Sequence, residues 1–373
     1  MKKDVNKLNV CLMFGGQTVE HDVSIISCFQ VLNALDKDKY NIELIYITKN
    51  NKMLQGKCLF DLNTFKKGTF KKTKEVTLKN ISDVTYIIKG KKKVKVDVFI
   101  PVVHGCGVED GTISAILDFY NATYITSSIY GSAVSQDKIY TKDILTRYGI
   151  NTPKYISFNK DENLNKIEDN LRFPVIIKPA RLGSSIGIEK AKNIDELERC
   201  ILNASKYTDR LIIEEVVDSY KELNIACFKY KDELYLSNIE EVKTTNEFLT
   251  FLDKYQENKK QENTNRIINV QLDKSIKTKI FDYTKLIYNI LDLKGVIRID
   301  YLYDTKNDIV YFNEVNTIPG SYGFYLYESE GITFKAILDM LIKEAILKKA
   351  KESKQVKSFT SNILNSKTLK LKK

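Results

Sequence analysis

Three features that would mark a specialised class of protein are missing from this sequence of 373 residues. There is no C-x-x-C pairing, no uninterrupted apolar run long enough to cross a membrane, and no apolar signal-peptide core after the first residues. Most cysteines lie among apolar neighbours, which predicts reduced core residues in a cytosolic protein. They are Cys11, Cys28, Cys58, Cys106, Cys200 and Cys227. We therefore expect a soluble, cytoplasmic protein without a membrane partner.

Nucleic-acid motifs are also missing, although the formal net charge is +11. The lysines are scattered, with denser runs at Lys89–Lys95 and after Lys348, and no aromatic residues are interleaved with them in the manner of a nucleic-acid-binding motif. A lysine-rich proteome or a polyanionic small substrate explains the charge as well. We therefore expect no nucleic-acid partner. The length indicates two or three domains, and no internal repeat or long linker divides them.

The stretch most typical of a reactive site runs from Gly295 to Gly323. Two segments of strong β character, Val296–Tyr303 and Ile309–Val315, are joined by the polar turn Asp304–Asp308. This pattern is typical of an antiparallel hairpin. Because successive side chains of a strand alternate between two faces, residues two apart on one strand project to the same side. The hairpin is therefore predicted to present a set of polar groups together.

Four polar groups belong to this set. Arg298 and Asp300 are two apart on the first strand, as Glu314 and Asn316 are across the end of the second. Carboxylate and amide oxygens are ligands that suit Mg²⁺, and the guanidinium and a Gly320 N–H could stabilise an oxyanion. A solvated strand face with a salt bridge would explain any one of these residues alone. Four converging groups favour a site.

The N-terminal segment is typical of a nucleotide-type α/β unit. The apolar strand Leu8–Phe14 is followed by Gly15-Gly16 and then by the helical pattern Val23–Leu35. Glu20 lies in the intervening loop or in the first helical turn. It is a candidate site residue, and the alternative is a carboxylate that only complements the helix dipole.

A second candidate follows the buried strand Val96–Val103. His104 comes directly after this strand, and ligands of open α/β sheets bind beyond the carboxyl ends of the strands. A histidine can equally have a purely structural role. His104 is one of only two histidines in the chain, which together with its position keeps both interpretations open.

A glycine- and serine-rich loop follows the strand Pro174–Pro179. Lys178 lies at the end of the strand, residues 180–187 form the loop, and the chain returns as a strand at Ile188. Such a loop can wrap phosphates with N–H and hydroxyl groups while a lysine binds them as a point charge. The order of lysine and loop differs from that of a P-loop.

Two further segments are predicted as a helix at Ser135–Tyr148 and a lid at Asn246–Tyr255, although an ordinary surface loop would also explain the latter.

Taken together, these stretches resemble the D-alanine–D-alanine ligases of the ATP-grasp superfamily over nearly the whole chain, to about residue 347. The motifs that carry the resemblance occur in the family's order. They are Gly15-Gly16 with Glu20-His21 and Val23-Ser24, His104-Gly105 with Glu109-Asp110-Gly111, Asp137-Lys138 with Lys142, Lys178-Pro179 with Gly183-Ser184-Ser185 and Gly187, Lys254-Tyr255, Arg298 with Asp300, and Glu314 with Asn316-Thr317 and Pro319-Gly320.

The resemblance implies an α/β (α+β) ATP-grasp fold. It implies an N-terminal Rossmann-like domain at residues 1–125, two ATP-grasp subdomains at 126–215 and 216–350, and a basic tail at 351–373. It further implies a homodimer that uses ATP and two Mg²⁺ ions, which Mn²⁺ could replace. The expected reaction joins two D-alanines through an acylphosphate for peptidoglycan precursor synthesis.

The resemblance also implies roles for individual residues. The nucleotide-binding group consists of Lys138, Lys178, Ser184, Ser185, Glu214, Glu222 and Lys254. The metal ligands are Asp300, Glu314 and Asn316. The catalytic group consists of Glu20, which would take the donor ammonium, Ser184 and Tyr255, which would be linked to Glu20 as a latch, and Arg298 and Gly320, which would stabilise the tetrahedral oxyanion. The remaining substrate-binding residues are His104, Ser321 and Tyr325.

One segment departs from the family pattern. Relatives usually carry a Ser-Leu pair that grips the carboxylate of the second substrate, and here Tyr325 stands at the position of the serine. Either Tyr325 or Ser321 supplies the missing hydroxyl, or the acceptor is another amino acid, a hydroxy acid or a peptide. A nucleotide-binding regulator without turnover is a further alternative, against which the intact Lys178 and Arg298 argue.

Overall fold

The computed structural model describes residues 7–244 and 264–361 of the chain, and four β-sheets lie within these ranges. The predicted lid at 246–255, including Lys254 and Tyr255, lies outside the described residues, as does the end of the basic tail at 362–373. In chain order, the sheets belong to a first unit, a central unit and a C-terminal unit.

The first unit is built around a parallel core. Strand β1 pairs in parallel with β2 and β8, and its residues from Val10 to Phe14 are fully buried. An almost continuous apolar run is what a strand covered on both faces requires. The elements are β1 (Leu8–Gly15), α1 (His21–Ala34), β2 (Tyr40–Ile47), β3 (Met53–Gln55), α2 (Leu62–Lys66), β4 (Lys74–Glu75), β5 (Thr77–Ile81), β6 (Val84–Lys89), β7 (Lys92–Lys95), β8 (Val98–Val102) and α3 (Thr112–Phe119).

The central unit is an antiparallel sheet in the order β11-β10-β12-β9, with helices packed against it. The predicted helix Ser135–Tyr148 is confirmed over Lys138–Arg147, but its start at Ser135 is wrong, because a separate helix ends at Gln136 and the two helices meet at Asp137. The Asp137 carboxylate accepts hydrogen bonds from the N–H groups of Ile139 and Tyr140, so it caps the second helix. The elements are α4 (Ile129–Gln136), α5 (Lys138–Arg147), β9 (Tyr155–Asn159), α6 (Asn165–Asn170), β10 (Val175–Pro179), β11 (Glu189–Ala191), α7 (Ile194–Ala204) and β12 (Arg210–Glu215).

The C-terminal unit is a second antiparallel sheet, in the order β15-β14-β13-β16-β17. The predicted hairpin is formed by β16 and β17. The elements are β13 (Tyr220–Tyr230), β14 (Glu233–Thr244), β15 (Thr264–Ile268), α8 (Lys274–Ile290), β16 (Ile297–Asp304), β17 (Ile309–Asn316) and α9 (Phe334–Glu352). A 3₁₀ segment at Gly320–Leu326 follows β17 and contacts α1. Helix α9 then returns to the first unit, where its apolar face joins that unit's core.

Two global features of the described ranges bear on the sequence-based expectations. Their helices include none that is both long and apolar enough to span a membrane. All six cysteines are free thiols.

Candidate active site

The register of the β16–β17 hairpin brings the four predicted polar groups together. Arg298 lies directly opposite Asn316, and Asp300 lies directly opposite Glu314. The Arg298 guanidinium donates from Nε and Nη2 to the two carboxylate oxygens of Asp300, each at 2.7 Å. Asn316 Nδ2 donates to Asp300 Oδ2 at 3.2 Å. Burial opposes the charge of Arg298, but Asp300 outweighs it and holds the pKa of the guanidinium well above its ordinary value.

The donor set at this hairpin fits Mg²⁺. Asp300 and Glu314 provide two carboxylates and Asn316 an amide oxygen, and Mg²⁺ is usually bound through one or two carboxylates together with water and substrate phosphates. Among the residues that the structure describes, no group of three His, Cys, Asp or Glu side chains forms a metal-binding cluster. The hairpin's mixed set of two carboxylates and an amide matches the way in which Mg²⁺ is held beside phosphates.

A buried ionic triad lies on the central unit, at the other side of the same cleft. Lys142 Nζ is 2.5 Å from one carboxylate oxygen of Glu214, and Lys178 Nζ is 2.7 Å from the other. Burial alone would raise the pKa of Glu214, but Lys142 and Lys178 outweigh it and lower that pKa to about 2. The side chain of Lys142 has no exposed surface. Glu214 therefore holds the Lys178 ammonium in place through an ion pair.

Lys138 connects the central unit to the hairpin. Its ammonium donates to the carbonyl oxygen of Leu182 at 2.7 Å and lies 3.6 Å from a carboxylate oxygen of Glu314. The same ammonium therefore contacts the glycine-rich loop and lies near a predicted metal ligand. The cleft between the two sheets is lined by residues from both units, among them Lys138, Lys178, Ser185, Glu214, Glu222 and Glu314. All of these were predicted to bind nucleotide or metal.

Glu20 meets the glycine-rich loop from the first unit. It is buried at the start of α1, and the Ser184 hydroxyl donates a hydrogen bond to its carboxylate. The chain comes so close that a Cβ on Gly105 would lie 2.5 Å from Glu20 Oε2, and Gly105 has a φ of +87°. Only glycine fits that position without strain. The structure thus brings two of the three predicted latch residues together, and the third, Tyr255, lies outside the described residues.

His104 lies behind the site and contacts the loop after β17. Its two ring nitrogens are each 2.9 Å from a partner, the carbonyl oxygen of Ile318 and the hydroxyl of Ser27. Burial is the main cause that lowers its pKa, which favours a neutral ring. Because both nitrogens are already bonded within the protein, His104 links α1 to the loop. A direct contact with substrate stays a prediction.

Glu109 is a neighbour of this link that the sequence-based site did not include. Its carboxylate accepts hydrogen bonds from the N–H groups of Gly105 at 2.9 Å and Ile318 at 2.8 Å. Burial, followed by the charge of Glu20, raises its pKa to about 7. Glu109 therefore joins the loop after β8 to the loop after β17.

The 3₁₀ segment after the hairpin carries the residues that the resemblance assigns to the acceptor. Ser321 and Tyr322 have left-handed φ values of 55° and 54°, and the Ser321 hydroxyl donates to Gln30 Oε1 of α1 at 2.5 Å. A Cβ on Gly320 would have no neighbour within 4 Å, so this position faces open space. The roles of Gly320 in binding an oxyanion and of Ser321 in binding substrate stay predictions.

Tyr325, which replaces the family serine, has two polar partners. Its hydroxyl donates to Glu240 Oε1 at 2.9 Å and accepts from Arg266 Nη1 at 3.0 Å. Sequence reasoning missed both partners. Strand β14, which carries Glu240, was not predicted, and Arg266 follows the segment interpreted as a lid. Lys142 was missed as a site residue although its spacing of four from Lys138 on a helix was a usable signal.

Comparison with known proteins gives a consistent result. Residues 9–127 match the family model "D-ala D-ala ligase N-terminus", and residues 144–343 match "D-ala D-ala ligase C-terminus". A D-alanine–D-alanine ligase of Thermosipho africanus is 38% identical over 370 residues, which is 97% of this chain and 100% of that protein.

Solved structures agree on the fold. The D-alanine-D-alanine ligase from Coxiella burnetii has a TM-score of 0.81 at 23% identity, covering 94% of this chain and 97% of that one. The VanG D-Ala:D-Ser ligase from Enterococcus faecalis has a TM-score of 0.79 at 27% identity, covering 91% and 99%. The predicted ATP-grasp fold is therefore confirmed. Two family models that span most of the chain and a full-length relative show that this protein belongs to the D-alanine–D-alanine ligase family.

Proposed function

We propose that this chain is an ATP- and Mg²⁺-dependent ligase that joins two D-alanines for peptidoglycan precursor synthesis. The observation that carries the proposal is the meeting of three units around the glycine-rich loop and the cleft beside it. The central unit contributes Lys138 and Lys178, the hairpin contributes Arg298 with its metal-type ligands, and the first unit contributes Glu20. A full-length match to ligases of this family accompanies that geometry.

The nucleotide end would hold the ATP phosphates between two lysines. Lys178 is fixed by Glu214, and Lys138 is fixed by the loop carbonyl of Leu182. Ser184 and Ser185 belong to the loop that covers this space, and Glu214 with Glu222 would face the adenosine portion. Phosphoryl transfer depends mainly on positioning and on charge neutralisation. An internally fixed set of cations provides both.

The hairpin would hold Mg²⁺ through Asp300, Glu314 and Asn316. When bound, the metal neutralises charge on the transferring phosphate. Arg298 keeps N–H groups beyond the two that bind Asp300, and a guanidinium has five in all. We infer that these remaining donors, with the Gly320 N–H, would stabilise the oxyanion.

The donor end would bind the first D-alanine through its ammonium at Glu20. A carboxylate oxygen of this substrate attacks the γ-phosphorus, the bond to ADP breaks, and an acylphosphate results. The amine of the second D-alanine then attacks the acyl carbon. The carbon–oxygen bond to phosphate breaks, and the amine loses a proton. Ser184, bonded to Glu20, would keep the donor carboxyl in line.

A second candidate is a ligase of the same mechanism with a different acceptor. Tyr325 stands where relatives usually have a serine, and the structurally similar VanG protein is a D-Ala:D-Ser ligase. The acceptor end is therefore the part of the site in which this chain departs from the usual pattern.

We also propose a homodimeric, cytoplasmic enzyme with the domain division 1–125, 126–215 and 216–350. The six free thiols suit a reducing compartment. Phe119 and Tyr130, which are 84% and 80% exposed, offer apolar surface to a second copy. Light scattering of the purified protein would give twice the chain mass for a dimer and the chain mass otherwise.

The function is tested by phosphate release from ATP and Mg²⁺ with D- and L-amino acids, singly and in pairs, with products identified by mass. We expect D-alanine alone to give its dipeptide. Turnover only with a second, different amino acid would support the alternative acceptor. Bound ATP without any turnover would contradict both proposals.

A further inference from the structure

A polar row crosses the C-terminal sheet toward the acceptor end. Asn224 on β13 lies directly opposite Glu240 on β14 and directly opposite Asp300 on β16. Directly paired residues of neighbouring strands project to the same face. Glu240 and Asn224 therefore lie on the face that carries Arg298 and Asp300, and both are buried.

The two hydroxyls that could replace the family serine already donate hydrogen bonds within the protein. Tyr325 donates to Glu240 Oε1 at 2.9 Å, and Ser321 donates to Gln30 Oε1 at 2.5 Å. A hydroxyl carries one proton, so neither can donate to a carboxylate while these bonds hold. The group that binds the acceptor carboxylate must therefore be sought elsewhere.

Arg266 is the donor that this geometry leaves available. Its guanidinium carbon lies 5.5 Å from the centre of the Tyr325 ring, and Nη1 donates to the Tyr325 hydroxyl at 3.0 Å. Within residues 7–244 and 264–361, that is its one side-chain hydrogen bond, so four of the five N–H groups remain for a ligand. The side chain is exposed at the edge of the sheet.

Charge supports the same residue. Within the described ranges, Glu240 Oε2 is buried without a hydrogen-bond partner, so a carboxylate behind Tyr325 would repel an incoming carboxylate. The positively charged guanidinium of Arg266, in front of Tyr325, would instead attract the acceptor carboxylate. Its planar fork also matches a carboxylate in bidentate geometry, which a serine hydroxyl cannot do.

We propose that Arg266 binds the carboxylate of the acceptor amino acid, and that Glu240 positions it through the hydroxyl of Tyr325. This proposal rests on the proposed ligase function. It assigns to an arginine on β15 the task that relatives give to a Ser-Leu pair.

The test is a competition between two acceptors. D-Alanine and D-alaninamide are mixed with ATP and Mg²⁺, and the ratio of D-alanyl-D-alanine to D-alanyl-D-alaninamide is measured by mass. This ratio reports the relative kcat/KM of the two acceptors and does not depend on the fraction of active protein. We expect Arg266→Gln to shift the ratio toward the amide by about 10- to 100-fold, because a charge-assisted hydrogen-bond pair is lost.

Arg210→Gln is the matched control. Arg210 lies over the Tyr140 ring at 4.5 Å and donates to its hydroxyl at 3.4 Å, the same arrangement in the central unit. Its product ratio should equal that of the wild type. Tyr325→Phe, which keeps the ring but removes the hydroxyl, should shift the ratio less than Arg266→Gln does.

Two results would overturn the proposal. One is a wild-type ratio in Arg266→Gln, and the other is a larger shift in Tyr325→Phe than in Arg266→Gln, which would assign the carboxylate to the hydroxyl. Failure of the wild type to form either product would instead contradict the proposed function.

Discussion

The proposed nucleotide end and the proposed acceptor end of the cleft hold their charged groups by different means. At the nucleotide end, Glu214 is buried between Lys142 and Lys178, and each of its carboxylate oxygens faces one lysine. At the acceptor end, Tyr325 connects a buried carboxylate to the exposed Arg266. The first set is closed within the fold, whereas the second ends on an exposed side chain.

This difference follows from the supporting elements. The lysines and Glu214 lie on α5, β10 and β12, which are regular elements of one unit. Tyr325 lies in a 3₁₀ segment that contains two non-glycine residues with left-handed φ values, and its partners come from neighbouring strands. Regular elements place a charge accurately, whereas an irregular segment can change its substrate contacts without altering the fold.

The largest effect should follow from breaking the buried ionic triad of Lys142, Lys178 and Glu214. Glu214→Gln would leave the buried Lys142 without its carboxylate, which typically costs about 3–5 kcal/mol. Thermal and denaturant unfolding would measure the loss. Glu215→Gln is the control, because its partner Arg172 is exposed and water screens such a pair, so its loss should change the stability little. Equal effects of the two substitutions would contradict a closed ionic triad.

The next effect concerns the hairpin between the two ends. Glu314→Gln removes a carboxylate from the proposed magnesium ligands, and we expect the Mg²⁺ concentration for half-maximal turnover to rise by about 10- to 100-fold. A titration of turnover against Mg²⁺ measures this. Glu330→Gln, in an exposed turn, serves as the control. Full turnover with unchanged magnesium dependence in Glu314→Gln would remove Glu314 from the metal site.

A pH-dependent effect is expected where the donor end meets the acceptor loop. The folded-state pKa of Glu109 is raised to about 7 from an ordinary value of 4.5. Its favourable contribution is therefore fully present below pH 4.5 and is lost as the pH rises through 7. Relative to the wild type, Glu109→Gln should gain about 1–3 kcal/mol of unfolding free energy between pH 5 and pH 8.

Denaturant unfolding of both proteins at the two pH values tests this prediction. Glu330→Gln should show no such gain. A difference between Glu109→Gln and wild type that stays constant with pH would show that Glu109 is ionised throughout.

The smallest effect should come from the acceptor segment itself. Ser321→Ala removes the hydrogen bond to Gln30, and we expect a loss of about 0.5–1 kcal/mol. Thermal unfolding measures this loss. Ser82 also has a left-handed φ, of 50°, but is exposed in a hairpin turn, so Ser82→Ala separates the backbone effect from the lost bond. A loss of unfolding free energy as large as that of Glu214→Gln would contradict the difference between the two ends.

The hairpin illustrates what local sequence could predict. Alternation along β16 and β17 placed Arg298, Asp300, Glu314 and Asn316 on one face, and the register confirms it. The turn of polar residues between the strands made their pairing unambiguous. The two-residue alternation of a strand and the residue types of a turn can each be recognised within a short stretch of sequence.

The missed features depend on contacts between distant residues. The partner of Glu214 is Lys142, 72 positions earlier, and Tyr325 meets Glu240 85 positions earlier. Strand β14 was not predicted because Asn238, Glu240 and Glu241 interrupt its apolar pattern, yet all three are buried. Buried polar residues are stabilised by partners that only the folded chain supplies.

The break at Asp137 was missed for a local reason. Its carboxylate caps α5, and an aspartate inside a helical pattern can be either an interior residue or an N-cap. Ser135 and Gln136, which end the preceding helix, continue a helix-compatible sequence, so the predicted helix began before the cap.

The central claim is tested most directly by following the carboxyl oxygens of the donor D-alanine into the products. D-Alanine labelled with ¹⁸O in both carboxyl oxygens is incubated with ATP, Mg²⁺ and the enzyme, and the products are analysed by mass. Ligation through an acylphosphate predicts D-alanyl-D-alanine and one ¹⁸O in each released phosphate. Unlabelled phosphate, or phosphate release without dipeptide, would contradict the proposed ligase mechanism.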